Sequence, residues 1–595
     1  MRSGLWLFVL ALAARAAVVV LSGFDGLYGQ DAFAYYEQAV AMAARLPRGE
    51  PPPTDFFWPN GYPAMAALSM AVFGPQPFAA QVVSLLCGAA LAPLAYLICR
   101  DLFPHAHPRA GIIAGTIAAV AGQSMLSSVV VMADVAALFW AAMAMWLTVN
   151  AWRGPRSPAW FAAAGGALGM AIVTRWVYGL LLPVLLLHAL RQRPCDRRWL
   201  RRLLVAAAAV AVVVLPQVGL SLYRPAGVFH SWLLGWRPGN ALSTHFETVD
   251  GLFAYRLPVG LFYALPAAHP GYLVPPLGLL ALWGGVCAWR ARARDSLVLL
   301  AGWAGAMYAF LAGIPYENLR FGLSIWLPLV VFAAVGADAL WTRPRLSTWT
   351  RAAVALSVAG MVGWSGWTLA RFVRQQHAIK GVVREVERRL PPGATLVTFG
   401  LTLTARHYTG LDVVELFEQD PESLAALARR PEPLYLLLDT ANAATQWRGR
   451  PPDENYRWLR EHTRLERMAE FPPYTLFESV RADAPSPAST SAAPPSRTAA
   501  GSGPSWRDPA APSLRRIRTS SPSPFRMTRG RPPVGRPVSL GRCPTGSSRT
   551  RNPALRASPS HSALNAAPSH RSAGAMASTT SRRISLKAQL TSRAV

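Results

Sequence analysis

Charge is scarce in this 595-residue chain: 15% of its residues are charged and 52% are hydrophobic. A soluble protein of this length would carry about 25% charged residues. That shortage, with 21 tryptophans and long apolar runs, excludes an ordinary soluble enzyme. Cysteine is scarcer, with five in all. Cys87, Cys99 and Cys287 sit in apolar runs, Cys195 in an arginine cluster and Cys543 in the C-terminal stretch. No Cys-x-x-Cys or Cys/His spacing suggests a metal site, and no even set suggests a disulfide framework. Acids are nearly missing from one region. Residues 484–595 hold 18 Lys+Arg against one acid, Asp508, so +17 of the net +29 lies there and the remaining 483 residues carry +12. That distribution does not describe a nucleic-acid-binding surface, and no nucleic-acid partner is expected. The body reads as a mildly basic membrane protein with a very basic appendix.

What is present is apolar length. Stretches near the roughly 20 residues needed to cross a bilayer fall at about 4–22, 78–99, 109–126, 131–151, 159–174, 176–190, 203–221, 273–289, 296–313, 321–341 and 352–370. These predict eleven spans. The first has small residues after its apolar centre, as a signal peptide does. Arg15 within that centre and the ten spans that follow favour an uncleaved anchor. With the N-terminus inside, the inner segments hold 17 arginines and the longer outer ones up to residue 320 only 7, as the positive-inside rule requires. The pair at 159–190 is short for two crossings, but both its flanks are arginine-rich, so it reads as a hairpin. The reading is a multi-pass protein of the inner or plasma membrane, with its N-terminus cytoplasmic and everything after residue 370 extracytoplasmic.

Residues 371–480 change character. A polar helix at about 376–390 ends at Pro391-Pro392-Gly393. Short apolar runs at 394–400, 412–416, 433–439, 464–471 and 474–480 alternate with helical patterns at 401–408, 422–430 and 452–463, which predicts a small α/β domain. It has no Gly-rich phosphate fingerprint and no obvious catalytic triad, so it reads as accessory. Residues 481–595 are Pro/Ser/Arg-rich without apolar periodicity. Their composition predicts a disordered, dispensable tail, either genuine or translated past a frameshift in a GC-rich gene.

The acids of the membrane region avoid span centres and gather at outer ends: Asp25, Asp31, Glu37, Glu50 and Asp55, then Asp134, Glu247, Asp250 and Glu317. Transporters place essential charges near the midplane, so this layout suits chemistry at the outer surface. Two outer loops are long, about 23–77 and 222–272. In the first, Tyr28-Gly29-Gln30-Asp31-Ala32-Phe33-Ala34-Tyr35-Tyr36-Glu37 runs into a helical pattern, and Trp58-Pro59-Asn60-Gly61-Tyr62-Pro63 precedes a short apolar helix ending Phe73-Gly74. On spacing alone, Asp31 before a helix is most simply an N-cap, and a plain helix cap explains Asp134 about as well as a functional acid does.

The order of these motifs is similar to that of the C-type polytopic glycosyltransferases, the bacterial protein O-mannosyltransferase and aminoarabinose transferase relatives above all. The resemblance rests on a first span, an outer-loop Asp followed by paired tyrosines, Pro-x-Gly-Tyr-Pro, a helix ending Phe-Gly and a span ending Arg100-Asp101-Leu102-Phe103. It continues through Met132-Ala133-Asp134, Thr174-Arg175-Trp176 and Glu317-Asn318-Leu319-Arg320 before Leu327-Pro328, and it covers roughly 1–370. It implies a glycosyltransferase-like membrane domain at 1–370 that moves a sugar, hexosyl or pentosyl, from a polyprenyl-phosphate carrier to an acceptor hydroxyl on a glycan, lipid or protein outside the membrane. The family's first-loop general base matches Asp31, with Asp134 as the second acid. Charge developing on the donor phosphate calls for arginine, and the outer-end candidates are Arg320, Arg175 and Arg256. Tyr35, Tyr36 and Tyr62 are the candidate substrate contacts, and single displacement implies inversion. One departure stands out: Ala32 follows Asp31 where many members have Glu.

No acidic cluster compels a metal and no cofactor is expected; two outer-loop acids converging in space could hold a divalent ion, which the sequence does not indicate. His105 and His107 read as solvated, the 191–202 arginines as contacts to anionic headgroups, and Trp232, Trp236 and Trp283 as interface anchors. His245, Glu247 and Asp250 suit an acceptor groove, although loop polarity alone predicts such residues. Two other function classes stay open: a transporter or flippase of lipid-linked glycans, and a non-catalytic scaffold whose α/β domain binds a partner.

Overall fold

The computed structural model describes residues 2–54, 56–153, 157–192, 196–222 and 235–480. Asp55, Cys195, Trp232 and everything after Val480 lie outside the described residues. In chain order the helices of the membrane region are α1 (Arg2–Ser22), α2 (Asp31–Arg45), α3 (Gly61–Phe73), α4 (Pro77–Leu102), α5 (Pro108–Val120), α6 (Gly122–Ser128), α7 (Ala133–Trp152), α8 (Pro158–Thr174), α9 (Leu181–Arg191), α10 (Arg197–Leu222), α11 (Pro275–Arg290), α12 (Arg294–Gly313), α13 (Leu323–Trp341) and α14 (Ser347–Arg389). All eleven apolar stretches are helical. Seven of the described helices are long and apolar enough to cross a membrane, eight if α5 and α6 form one bent span.

The other three fall short of the expected spans. Helix α8 has 17 residues and α11 has 16, or about 24–26 Å at 1.5 Å per residue against a core of about 30 Å. The stretch 176–190 begins as a 3-10 turn, Trp176–Leu180, before α9. The break sits at Arg175, whose extended backbone (φ −148°, ψ 118°) lets its side chain reach Asp134 instead of continuing the helix.

Helices α5 and α6 meet at 56°. A bend frees carbonyls at the end of the first helix, and here buried side chains take them. Ser365 Oγ donates to Val120 O at 2.8 Å, and Arg15 Nη1 donates to Ala119 O at 3.0 Å. Arg15 is fully buried, and its Nε and Nη2 also reach Ser128 Oγ and Ser124 Oγ at 3.0 and 3.2 Å. The arginine that interrupts the first apolar run is therefore the staple of this bend.

The stretch between α10 and α11 carries a hairpin, β1 (His245–Thr248) and β2 (Gly251–Ala254). Beyond the membrane region a five-stranded mixed sheet has the order β4-β3-β5-β7-β6. Strands β3 (Thr395–Thr398), β4 (Asp412–Glu415) and β5 (Leu434–Leu438) are parallel, whereas β6 (Arg464–Phe471) and β7 (Tyr474–Val480) add on antiparallel. Helices α15 (Thr402–Tyr408), α16 (Pro421–Ala428), α17 (Thr440–Thr445) and α18 (Pro451–His462) connect them. This is the expected α/β domain, nearly residue for residue. One boundary differs: the last span and the polar helix after it are a single 43-residue α14. No breaker separates them, and the buried face passes from the core of the membrane region, at Met361, Leu369 and Phe372, to the core of the sheet, where Val383 and Val386 are fully buried.

Candidate active site

The N-terminal ends of α2, α7 and α13 and the C-terminal end of α8 converge. Asp31 is the first residue of α2 and makes no capping bond. Its Oδ2 instead accepts from Arg320 Nη2 at 2.6 Å, across 289 residues of sequence. Asp134, in the first turn of α7, likewise caps nothing; Arg175 Nη2 lies 2.8 Å from its Oδ1, and Arg320 Nε stands 4.0 Å from its Oδ2. Two carboxylates and two guanidiniums thus form a charge-balanced cluster. Both guanidiniums also lie over the ring of Phe321, at 5.3 and 5.4 Å. Asp31 is 1% exposed, Asp134 5% and Arg320 6%.

Local sequence explains the convergence. The Asn60-Gly61-Tyr62-Pro63 turn lies against the end of α8, and a Cβ at Gly61 would stand 2.5 Å from Val173 O and 2.7 Å from Thr174 Oγ1. Only glycine lets this loop press on the residues just before Arg175. At the other arginine, Asn318 Oδ1 accepts from Arg320 N at 3.1 Å, which caps the short turn that presents the side chain.

Several buried atoms here have no hydrogen-bond partner: Asp31 Oδ1, Tyr35 OH, Arg175 Nε, Arg320 Nε and Tyr272 OH. Buried polar atoms are normally satisfied, so such a cluster offers hydrogen-bonding positions for a ligand or for ordered water. Burial pushes the Asp31 carboxyl above the usual carboxylate range, with Arg320 and then Arg175 pulling against it. Burial also pushes the Tyr28 phenol up to about 12, so it is a neutral donor beside Arg320.

A cavity of about 1180 Å³ opens from this cluster toward the β1–β2 hairpin. Arg320 and Tyr28 line it, as do Arg256, Glu317 and the aromatic Phe253 and Tyr255, with Gln446 of the α/β domain closing one side. Burial raises Glu317 to about 7, and its Oε1 has no hydrogen-bond partner. His245 and Glu247 also line the cavity. Asp250 is buried and accepts from Tyr316 OH at 2.7 Å.

The structure therefore brings together Asp31, Asp134, Arg175, Arg320 and Tyr35, and puts Arg256 on the cavity wall. The other two tyrosines are committed elsewhere. Tyr36 OH donates to Pro75 O at 2.9 Å, and the buried Tyr62 OH bonds Ala80 O and Ser84 Oγ at 3.0 and 2.9 Å. Tyr28, Tyr255 and Tyr272 were not singled out from the sequence. Tyr28 could have been, standing three residues before Asp31; the other two sit in loop sequence without a motif. Among the described residues no group of three or more His, Cys, Asp or Glu could hold a metal ion.

Comparison with known proteins bears on the fold and the family likeness. Residues 59–219 match the family model for dolichyl-phosphate-mannose-protein mannosyltransferase. The undecaprenyl phosphate-alpha-4-amino-4-deoxy-L-arabinose arabinosyl transferase of Pseudomonas aeruginosa (strain UCBPP-PA14) is 28% identical over 264 residues, 41% of this chain and 43% of the relative. A similarly named transferase of Pseudomonas fluorescens (strain Pf0-1) is 30% identical over 355 residues, 49% of this chain and 61% of the relative. The chain thus spans less than two thirds of the length of these relatives. The crystal structure of ArnT from Cupriavidus metallidurans bound to undecaprenyl phosphate superposes with a TM-score of 0.56 at 17% identity, over 79% of this chain and 97% of that one. The chain has the C-type polytopic glycosyltransferase fold and resembles the lipid-linked arabinosyl and mannosyl transferases that share it.

Proposed function

We propose that the chain is a membrane glycosyltransferase that moves a sugar from a polyprenyl-phosphate carrier to an acceptor hydroxyl on the extracytoplasmic side, with inversion. The observation that carries this reading is the buried Asp31–Arg320 pair, its carboxylate half unpartnered, beside a cavity large enough for a glycan headgroup. The donor is a phosphodiester. As its sugar–oxygen bond breaks, negative charge grows on the phosphate, and Arg320 with Arg175 offers planar, bidentate donors to that charge. Arg320 lines the cavity while Asp31 sits behind it. A phosphate that draws the guanidinium toward itself weakens its hold on Asp31, so donor binding and release of the base are linked. The acceptor oxygen then attacks the anomeric carbon and gives its proton to the carboxylate. The raised affinity of Asp31 for protons makes it a stronger base than a surface aspartate. Asp134 holds Arg175 and shares Arg320, keeping both cations in place. The relatives' names make a 4-amino-4-deoxypentose the first donor to try, and Arg256 and Tyr35 are the further substrate contacts on this reading.

Asp31→Asn tests it, because Asn keeps the shape and cannot take the proton. With the purified full-length chain and radiolabelled undecaprenyl-phosphate sugars, turnover should fall about 10²–10⁴-fold while donor binding persists. A folded variant within about threefold of the wild-type rate would remove Asp31 as base. A flippase, by contrast, would move the labelled lipid equally well with either residue.

A further inference from the structure

Among the described residues, the α/β domain meets the membrane region where Gln446 and Arg450 reach the β1–β2 hairpin and, separately, at the residue next to Asp31. Gln30 is 3% exposed, and its Oε1 accepts the backbone N–H of Leu403 at 3.1 Å. Leu403 lies in the first turn of α15, where an N–H has no partner within its own helix. The contact is flanked on both sides. Asp25 Oδ2 accepts from Tyr408 OH at 2.7 Å and from Lys380 Nζ at 3.1 Å. The Phe33 ring packs against His407 and Tyr408 at 5.5 and 5.8 Å. Residues 25–33, with Asp31 among them, are thus gripped by one short helix of the domain and by α14. From the membrane side, Val131 N donates to Gly26 O at 2.9 Å.

Fold stability alone does not explain Gln30. Its Oε1 satisfies the Leu403 N–H, but its Nε2 is buried without a partner, a state that costs free energy and offsets that gain. What the amide side chain adds is a directional link between the domain and the residue beside Asp31. We infer that the α/β domain is a positioning element of the active site, and that its α15 helix fixes Asp31 through Gln30. This rests on the reading of Asp31 as the base. Catalytic geometry is steep, since a misplacement of about 1 Å costs on the order of 10²-fold, so a link of this kind acts on the chemical step and not on donor affinity.

Two variants break the link from opposite ends: Gln30→Met keeps length and volume, and Leu403→Pro removes the N–H while leaving Gln30 intact. Both are assayed in the full-length chain with undecaprenyl-phosphate-linked 4-amino-4-deoxy-L-arabinose, or with whichever undecaprenyl-phosphate sugar the wild type turns over. Each should lower kcat about 10–100-fold with donor KM within about twofold. Gln30→Met placed in the Asp31→Asn background should add no further loss, because a residue that acts only through the base has nothing left to position. A kcat within about twofold of wild type, or losses that multiply in the double variant, would overturn the proposal. Failure of both variants to fold would make the contact a stability element and overturn it too. If Asp31→Asn itself turns over normally, it is the base assignment that fails, whatever Gln30 does.

Discussion

Arg320 has two claims on it, one from Asp31 now and one from the donor phosphate on the proposed reading. Arg320→Ala should therefore do more than Asp31→Asn. Donor KM should rise and kcat fall together, because phosphate contacts are lost in ground and transition states alike. The pH profile should move as well. Arg320 pulls the Asp31 carboxyl down against burial. Without it the carboxyl titrates higher, and since the base must be deprotonated, the acid-side loss of kcat shifts to higher pH. A profile that kept its acid limb in place would show that the two groups are not coupled. The sequence carried these residues only as a list. Asp31, Asp134, Arg175 and Arg320 were legible from motif order, but nothing local says that Asp31 pairs with a residue 289 positions away, or that neither acid caps its helix. Tyr62 and Tyr28 show the limit clearly. Both are aromatic neighbours of a motif; the one singled out bonds Ser84 in the core, and the one passed over lines the cavity.

Among the elements, the strands of the α/β domain were the most legible, because short β-branched and leucine runs between Pro, Gly and Asp admit few other readings. The short membrane helices were the least. Hydropathy sees apolar length but not the backbone break that an arginine–carboxylate pair enforces at Arg175. Strand β4 ends in a residue with a measurable consequence. Burial raises Glu415 to about 7, well above the usual glutamate range of about 4.3. A carboxyl raised on folding contributes stability in its protonated form, so this contribution is present below about pH 4.5 and is lost as pH rises toward 7. Glu415→Gln should remove that dependence. In the full chain, amide exchange of β3–β5 at pH 8 should be slower in the variant than in the wild type, and the difference should vanish near pH 4. Equal exchange at pH 8 would show that the buried carboxyl finds compensation elsewhere.

At the scale of the molecule, orientation is the open variable. Cysteines placed at the exposed Ala378 and Ala441 should react with an impermeant thiol reagent in intact cells. Protection at both sites would reverse the topology and put the cavity on the cytoplasmic side. The body and tail differ in legibility for a plain reason. An apolar segment or a strand must bury itself and so leaves a pattern, whereas the composition after Val480 leaves none to read. The 43 residues of α14 have a mechanical meaning as well. At 1.5 Å per residue the rod is about 65 Å long, of which a bilayer occupies about 30 Å. Its far end is built into the sheet domain, and Lys380 along it holds Asp25. Spans answer a change in bilayer thickness by tilting. A tilt of about 10° over the roughly 35 Å beyond the bilayer carries the far end about 6 Å, well beyond the tolerance of a proton transfer. A movement of that size would couple membrane thickness to the residues that α14 and the α/β domain hold beside Asp31. Turnover in vesicles of short-chain and long-chain lipids should differ severalfold, and a Gly-Gly insertion after Arg374 should flatten that response, whereas an unchanged profile would mean that the rod is not coupled to the chemistry.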